Sequence, residues 1–229
     1  FVRGLQGTGI FGIGRLYAPG AIYTSGDYAL IQYNRIDHSG YNGILPTCNH
    51  GEIRNNLIDH SLLNRSDGGG IYTAGASAGR VFDGNIILNT VGYPEATNGS
   101  STITHGIYLD INSSYVTVSN NTVSGSTDAG LFLSQGTDHN SVTGNLFYDN
   151  ASTQLTMSDF TGSSTVDHNS VVGNIFLAKS ASQTAMKLQS LLNNISTFFS
   201  TVDQNIYARP VADDATILAI QPSEYGSKQ

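Results

Sequence analysis

Residues 56–87 read NLIDHSLLNRSDGGGIYTAGASAGRVFDGNII and contain one full unit of a repeat that runs through the chain. Each unit has an Asn before a short apolar pair, then a polar stretch, then a Gly-led apolar strand. The Asn recurs at Asn34, Asn56, Asn85, Asn121, Asn145, Asn174 and Asn205, with spacings of 22, 29, 36, 24, 29 and 31 residues. The Gly-led strand recurs at Gly20, Gly43, Gly70, Gly106 and Gly130. Two strand signals per repeat of roughly 25 residues, without helices between them, indicate a β-solenoid.

Composition agrees with this fold class. Only 12% of the 229 residues are charged and 26 are Gly, a mixture that disfavours long helices and favours strands joined by tight corners. We predict one all-β domain over residues 1–229, a right-handed parallel β-helix of about seven to nine coils. Because the repeat fades after about residue 178, we expect an irregular coil or short helix at 181–192 and an irregular tail or cap at 208–229.

The net charge, the cysteine content and the start of the sequence limit the classes of function that we expect. A net charge of −7 argues against nucleic acid and anionic membranes as partners, and no run approaches 18 apolar residues. The one cysteine, Cys48, cannot form an internal disulfide and is interpreted as a small buried residue. The chain starts in mid-pattern without Met or a signal peptide, so we expect a piece of a longer protein that is secreted or on the cell surface. The oligomeric state is left open.

The register of the repeat makes two predictions about stacked side chains. Each coil climbs by about 4.8 Å, so the repeated asparagines should form a hydrogen-bonded ladder. Period-two alternation of the Gly-led strands buries their Ile and Leu residues and places an aromatic row on the outer face, interrupted by Leu45. This row consists of Tyr23, Tyr72, Tyr108 and Phe132. A loop could cover it, or a flat, amphipathic ligand such as a sugar could stack on it. His38 and His60 occupy equivalent positions and are interpreted as stacked structural residues.

Three segments resemble a known family: Ser66–Thr73 (SDGGGIYT), His105–Asp110 (HGIYLD) and Ser113–Asn121 (SSYVTVSNN). They are similar to right-handed parallel β-helix proteins of the pectin-lyase-like superfamily, over about residues 20–178. The resemblance implies work on carbohydrate polymers outside the cell. It does not specify the reaction, because that superfamily includes glycoside hydrolases, polysaccharide lyases, epimerases and phage tailspikes.

Counting from the inward residue of each Gly-led strand places Asp67, His105 and Asp128 at one corner on three successive coils. The long insertion 91–104 emerges at the same corner and carries Glu95. Asp67 and Asp128 are two coils apart, about 10 Å along the stack, which is within reach of the separation used by paired glycosidase carboxylates. Asp110 is offset from the Asp67 column by roughly 20 Å on a straight backbone, so we predict a substrate-binding role for it. The competing interpretation is that these acids only cap turns.

The favoured function is therefore a glycoside hydrolase acting on a polysaccharide or oligosaccharide. Asp67 would be base or nucleophile, Glu95 or Asp128 the acid, and His105 would orient one of them. The aromatic row, Asp110, Arg65 and Arg80 would bind substrate. A lyase or epimerase is an alternative, disfavoured because the first lysine is Lys179; a non-catalytic glycan-binding solenoid is another. We predict no metal and no cofactor.

Overall fold

The computed structural model describes residues 2–3, 20–76, 78–97, 103–160, 164–192, 194–211, 213–214 and 216–222. The regular elements of these ranges are 23 short strands and two short 3-10 helices, Pro94–Thr97 and Ile195–Thr197. In chain order the strands are β1 Val2–Arg3, β2 Ile22–Thr24, β3 Leu30–Gln32, β4 Arg35–Asp37, β5 Ile44–Pro46, β6 Glu52–Arg54, β7 Leu57–Ser61, β8 Gly68–Thr73, β9 Val81–Asp83, β10 Ile86–Thr90, β11 Thr104–Leu109, β12 Thr117–Ser119, β13 Thr122–Ser124, β14 Ala129–Leu133, β15 Ser141–Thr143, β16 Leu146–Tyr148, β17 Thr153–Ser158, β18 Asn169–Val172, β19 Ile175–Leu177, β20 Thr184–Ser190, β21 Phe199–Asp203, β22 Ile206–Ala208 and β23 Thr216–Pro222.

The strands form three parallel sheets, with every third strand in the same sheet. The first sheet has the order β1-β4-β7-β10-β13-β16-β19-β22, the second β2-β5-β8-β11-β14-β17-β20-β23 and the third β21-β18-β15-β12-β9-β6-β3. This is a parallel β-helix. Sheets of seven and eight strands in the described residues confirm the all-β fold class and the predicted number of coils.

The core consists of inward side chains stacked in register, one from each coil. In the first sheet the aligned column passes through Ile58, Ile87, Val123, Phe147 and Phe176, all with no exposed surface. The flanking positions of these strands are more exposed, as period-two alternation requires. Burying each of these side chains stabilises the fold by about 1.5–3 kcal/mol.

The Gly-led position of each repeat is explained by a close approach between coils. A Cβ at Gly106 would lie 2.1 Å from Cγ1 of Val123 and 2.8 Å from the carbonyl oxygen of Gly130 on the next coil. Gly70 is similarly crowded by Ile87 and by the carbonyl oxygen of Gly106. A side chain at this position would therefore force apart the first and second sheets.

The predicted asparagine ladder is confirmed. Each Nδ2 donates to Oδ1 of the Asn on the next coil, at 2.9–3.1 Å, from Asn34 through to Asn205. The same Oδ1 atoms accept the backbone N–H of the preceding Asn, for example Asn85 N to Asn121 Oδ1 at 2.9 Å. His38 and His60 are also stacked as predicted, with ring centroids 4.7 Å apart.

Two segments differ from the sequence-based expectation. Residues 181–192, expected to be an irregular coil or a short helix, contain β20. Residues 208–229, expected to be an irregular tail or cap, contain β23 paired in parallel with β20, and 223–229 lie outside the described residues. Both strands keep the register of the second sheet although they lack the Gly that leads the earlier repeats. None of the helices that the structure describes is long and apolar enough to cross a membrane.

Candidate functional site

A cavity of about 440 Å³ lies on the outer face of the second sheet, across β11, β14, β17 and β20. Its polar lining includes Asp67, His105, Asp110, Asp128 and Lys187. Three acids, an imidazole and an amine therefore face one space.

Two rings of the aromatic row, Tyr108 and Phe132, form the floor of this cavity together with Phe160. Tyr72 contacts Tyr108 edge to face at 5.2 Å between ring centroids, and Tyr108 stacks on Phe132 at 5.1 Å. Phe160 extends the stack, 6.5 Å from Phe132. The sequence predicted an exposed row, but Tyr108 and Phe132 are almost buried because these rings cover one another.

Tyr23 is exposed on β2, two strands before Tyr72 and beyond Leu45. It is not among the described residues that line the cavity. The predicted row is therefore continuous only from Tyr72 onward.

The predicted corner of Asp67, His105 and Asp128 is brought together at one side of the cavity. Thr104, the neighbour of His105, pairs with Gly68, the neighbour of Asp67. The Thr104 carbonyl oxygen accepts the Asp128 backbone N–H at 3.2 Å. Asp67, His105 and Asp128 therefore lie on three successive coils. The long offset of two coils between the two aspartates corresponds to about 10 Å along the stack.

His105 is buried and electrically neutral. Its Nδ1 atom accepts a hydrogen bond from the backbone N–H of Ala129 at 3.3 Å, which places the ring proton on Nε2. Burial lowers the pKa of His105 to about 3. Oδ2 of Asp128 lies 3.8 Å from Nδ1, too far for a hydrogen bond, and a neutral imidazole offers the carboxylate no positive charge.

Asp128 is the carboxyl group with the clearest perturbation in the cavity. Burial raises the pKa of Asp128 to about 6, although a hydrogen bond with Ser152 and the charge of Lys187 both act to lower it. A carboxyl group with this pKa is partly protonated near neutral pH, which is the property required of a general acid.

Asp110 and Asp67 lie closer together than the sequence suggested. The roughly 20 Å estimate assumed a straight backbone, but both residues line the same cavity, and the charge of Asp110 adds to burial in raising the pKa of Asp67. Asp67 itself has φ of 62°, in the left-handed region, so the backbone is not straight at this position.

Two tyrosines hold Asp110 in place. The Tyr72 hydroxyl donates to Oδ2 of Asp110 at 2.8 Å, and the Tyr108 hydroxyl interacts with the same carboxyl group. Burial, and then the negative charge of Asp110, raise the pKa of both tyrosines, so they remain neutral donors. Asp110 is itself only 8% exposed and is therefore a fixed acceptor at the wall of the cavity.

Lys187 was missed by the sequence analysis. It lies on β20 in register with Thr156 of β17, and through it with Phe132. It therefore occupies the outward position that carries an aromatic ring in earlier coils. The sequence pattern that could have identified Lys187 is the alternation Met186-Lys187-Leu188, which repeats the inward–outward–inward order of Leu131-Phe132-Leu133.

Three predicted residues are placed away from the cavity. Glu95 is exposed in the 3-10 helix Pro94–Thr97, and part of its loop, 98–102, lies outside the described residues. Arg65 lies over the Tyr41 ring at 5.8 Å, and Arg80 is buried. In the described part of the chain none of the three lines the cavity.

Arg80 has a structural role instead. Its Nε atom donates to the carbonyl oxygen of Cys48 at 2.8 Å, and its guanidinium also donates to Oγ1 of Thr73. These bonds link the edge of the third sheet to the second sheet. Because the guanidinium satisfies buried acceptors, it is not available to a ligand.

Comparison with known proteins supports the fold. A family model described as "Right handed beta helix region" matches residues 17–195. No curated protein and no solved structure matches the chain.

Proposed function

The chain belongs to the right handed beta helix region family, and on the cavity of its second sheet we propose that it hydrolyses glycosidic bonds of a polysaccharide or oligosaccharide. The observation that carries the proposal is the pairing of Asp128, whose pKa is raised to about 6, with the Asp67–Asp110 pair in one cavity. Glycosidases need one protonated and one ionised carboxyl group across the scissile bond.

In this proposal Asp128 is the general acid. It donates its proton to the glycosidic oxygen as the bond between that oxygen and the anomeric carbon breaks. Burial raises the protonated fraction of Asp128 near neutral pH, and neutral His105 does not form an ion pair that would favour loss of the proton. His105 is thus a positioning residue beside the acid.

Asp67 acts either as the base that takes a proton from the water attacking the anomeric carbon, or as the nucleophile that bonds to that carbon until water hydrolyses the intermediate. Burial, and then the charge of Asp110, raise the pKa of Asp67 and so make it a stronger base, while the Tyr72 hydroxyl bond holds Asp110. The aromatic floor of Tyr108, Phe132 and Phe160 gives a sugar ring an apolar surface for stacking.

One observation favours a second candidate, β-elimination from an acidic sugar. Lys187 supplies the positive charge in the cavity that such a lyase needs to neutralise a uronate carboxylate. The lyase would use the same cavity with different roles for its residues. For either reaction the natural substrates are extracellular polymers, and we include secretion or surface display in the proposal.

Incubation of the purified chain with neutral and acidic polysaccharides distinguishes the candidates. New reducing ends without ultraviolet absorbance of unsaturated uronates support hydrolysis, and appearance of that absorbance supports the lyase. Binding of a glycan without either product would overturn both and leave a binding solenoid.

A further inference from the structure

A second cluster of chemically active side chains lies at the corner that leads into the third sheet, away from the cavity. Asp138 and Asp167 form an isolated parallel bridge, and each is followed by a histidine, His139 and His168. The two imidazole rings stack across neighbouring coils with centroids 5.1 Å apart and planes 16° apart. Both side chains are about half exposed, at 48% and 57%.

Each ring is held on one side by its own aspartate. Nδ1 of His139 lies 2.5 Å from Oδ1 of Asp138, and Nδ1 of His168 lies 2.9 Å from Oδ1 of Asp167. The Nε2 atoms therefore remain for a ligand on the opposite sides of the rings. A carboxylate that holds Nδ1 while Nε2 binds is the usual outer shell of a histidine metal site.

We propose that His139 and His168 bind a divalent transition-metal ion such as Zn²⁺, with Asp138 and Asp167 as the acids that orient the rings. Imidazole nitrogen favours Zn²⁺, Cu²⁺ and Ni²⁺ over hard cations such as Mg²⁺. The candidate ligand atoms of Asp138, His139 and His168 lie within 4.8 Å of one another. Two nitrogens that share a tetrahedral ion at about 2.1 Å lie roughly 3.4 Å apart, a separation inside this limit.

The local charge also favours a cation. The bridge places the backbones of Asp138 and Asp167 on neighbouring coils, about 4.8 Å apart along the stack, and like charges in such a cross-strand pair repel. Both acids also line an open cavity of about 430 Å³. A divalent ion at the imidazoles would offset this repulsion.

The stacked pair His38 and His60 repeats the arrangement with Asp37 and Asp59, but its charge is already partly balanced. Nη2 of Arg35 lies 3.9 Å from Oδ2 of Asp37. We therefore assign the metal to the His139–His168 pair and use the other pair to design the test.

The test is calorimetric titration of Zn²⁺ into the tag-free chain in a His38→Asn/His60→Asn background. Asn suits these positions because all four histidines have positive φ, from 45° to 59°, which Asn tolerates. One Zn²⁺ per chain is expected, with at least tenfold weaker binding after a further His139→Asn or His168→Asn change. Asp138→Asn should weaken binding about tenfold through loss of ring orientation.

Tyr115→Phe is the matched control, because it keeps the ring that stacks on His139 at 5.3 Å and should leave the affinity unchanged. Thermal unfolding without metal shows whether each variant is folded; added Zn²⁺ should raise the melting temperature only where both histidines remain. Equal Zn²⁺ affinity in folded His139→Asn and His168→Asn variants would overturn the proposal, as would no Zn²⁺ binding at all.

Discussion

The hydroxyl group of Tyr72 donates a 2.8 Å hydrogen bond to Oδ2 of Asp110, a residue of the next coil. This bond ties the aromatic row to the acidic wall of the cavity and fixes the charge that, after burial, raises the pKa of Asp67. Asp67 and Asp110 are therefore electrostatically coupled.

Asp110→Asn should lower the pKa of Asp67, because the neighbouring negative charge is removed. A base works only when deprotonated, so the acidic limb of the kcat/KM profile should move to lower pH. The profile of the purified variant on its best glycan measures this. Asp149→Asn, which changes an acid paired with Lys179 outside the cavity, is the control and should leave the limb in place. An unmoved limb in Asp110→Asn would contradict the coupling.

Lys187→Met should raise the pKa of Asp128 above about 6, since the lysine charge acts to lower it. A general acid must be protonated, so the alkaline limb of the profile should shift to higher pH by a few tenths of a unit or more. Lys179→Met is matched in chemistry but lies outside the cavity lining, and it should not shift the limb. A shift of equal size in both variants would show that Lys187 acts only through the overall charge of the protein.

Asp128→Asn should stabilise the folded protein at pH 7. The folded pKa of about 6 lies above the unfolded value near 3.9, so ionisation of Asp128 disfavours the fold as pH rises through this interval. Because the side chain is 35% exposed and screened by solvent, the gain should be at most about 1 kcal/mol, and it should vanish below pH 4. Urea unfolding of the wild type and the variant at pH 4 and pH 7 measures it. An increase in the free energy of unfolding that is equal at pH 4 and pH 7 would contradict ionisation of Asp128 as its cause.

Asn121→Ala should destabilise the protein by about 3 kcal/mol or more, because it leaves several buried polar groups without partners. Asn121 accepts from Asn85 through Oδ1, and through Nδ2 it donates to the carbonyl oxygen of Phe82 at 2.8 Å and to Asn145. Asn34→Ala, at the more exposed first position of the ladder, should cost less than about 1 kcal/mol. Equal losses in urea unfolding would argue against the ladder as a source of stability.

The sequence predicted the fold because its determinants are repeated. The Asn ladder, the crowded Gly106 position and the inward column through Ile58 each recur once per coil, so a spacing pattern shows them directly. The strands β20 and β23 were missed because they lack the Gly that leads the earlier repeats, while their alternation of buried and exposed residues was present.

The site was predicted less completely. The corner of Asp67, His105 and Asp128 follows from counting along repeats, and the structure brings these residues together. For Asp110, counting residues along a straight backbone gave a large offset from Asp67 and did not show that the two acids line one cavity. Arg80 was assigned to substrate because it flanks the Asp67 strand and could bind acidic sugars, whereas its guanidinium satisfies buried acceptors of Cys48 and Thr73.

Turnover and affinity of Asp128→Asn on the glycan that the wild type degrades best decide whether Asp128 is the general acid. We expect a loss of kcat of at least 100-fold, as general acid catalysis contributes on that scale, with the dissociation constant of the glycan changed by less than about threefold. Retention of wild-type kcat in the folded variant would contradict the proposed hydrolytic site.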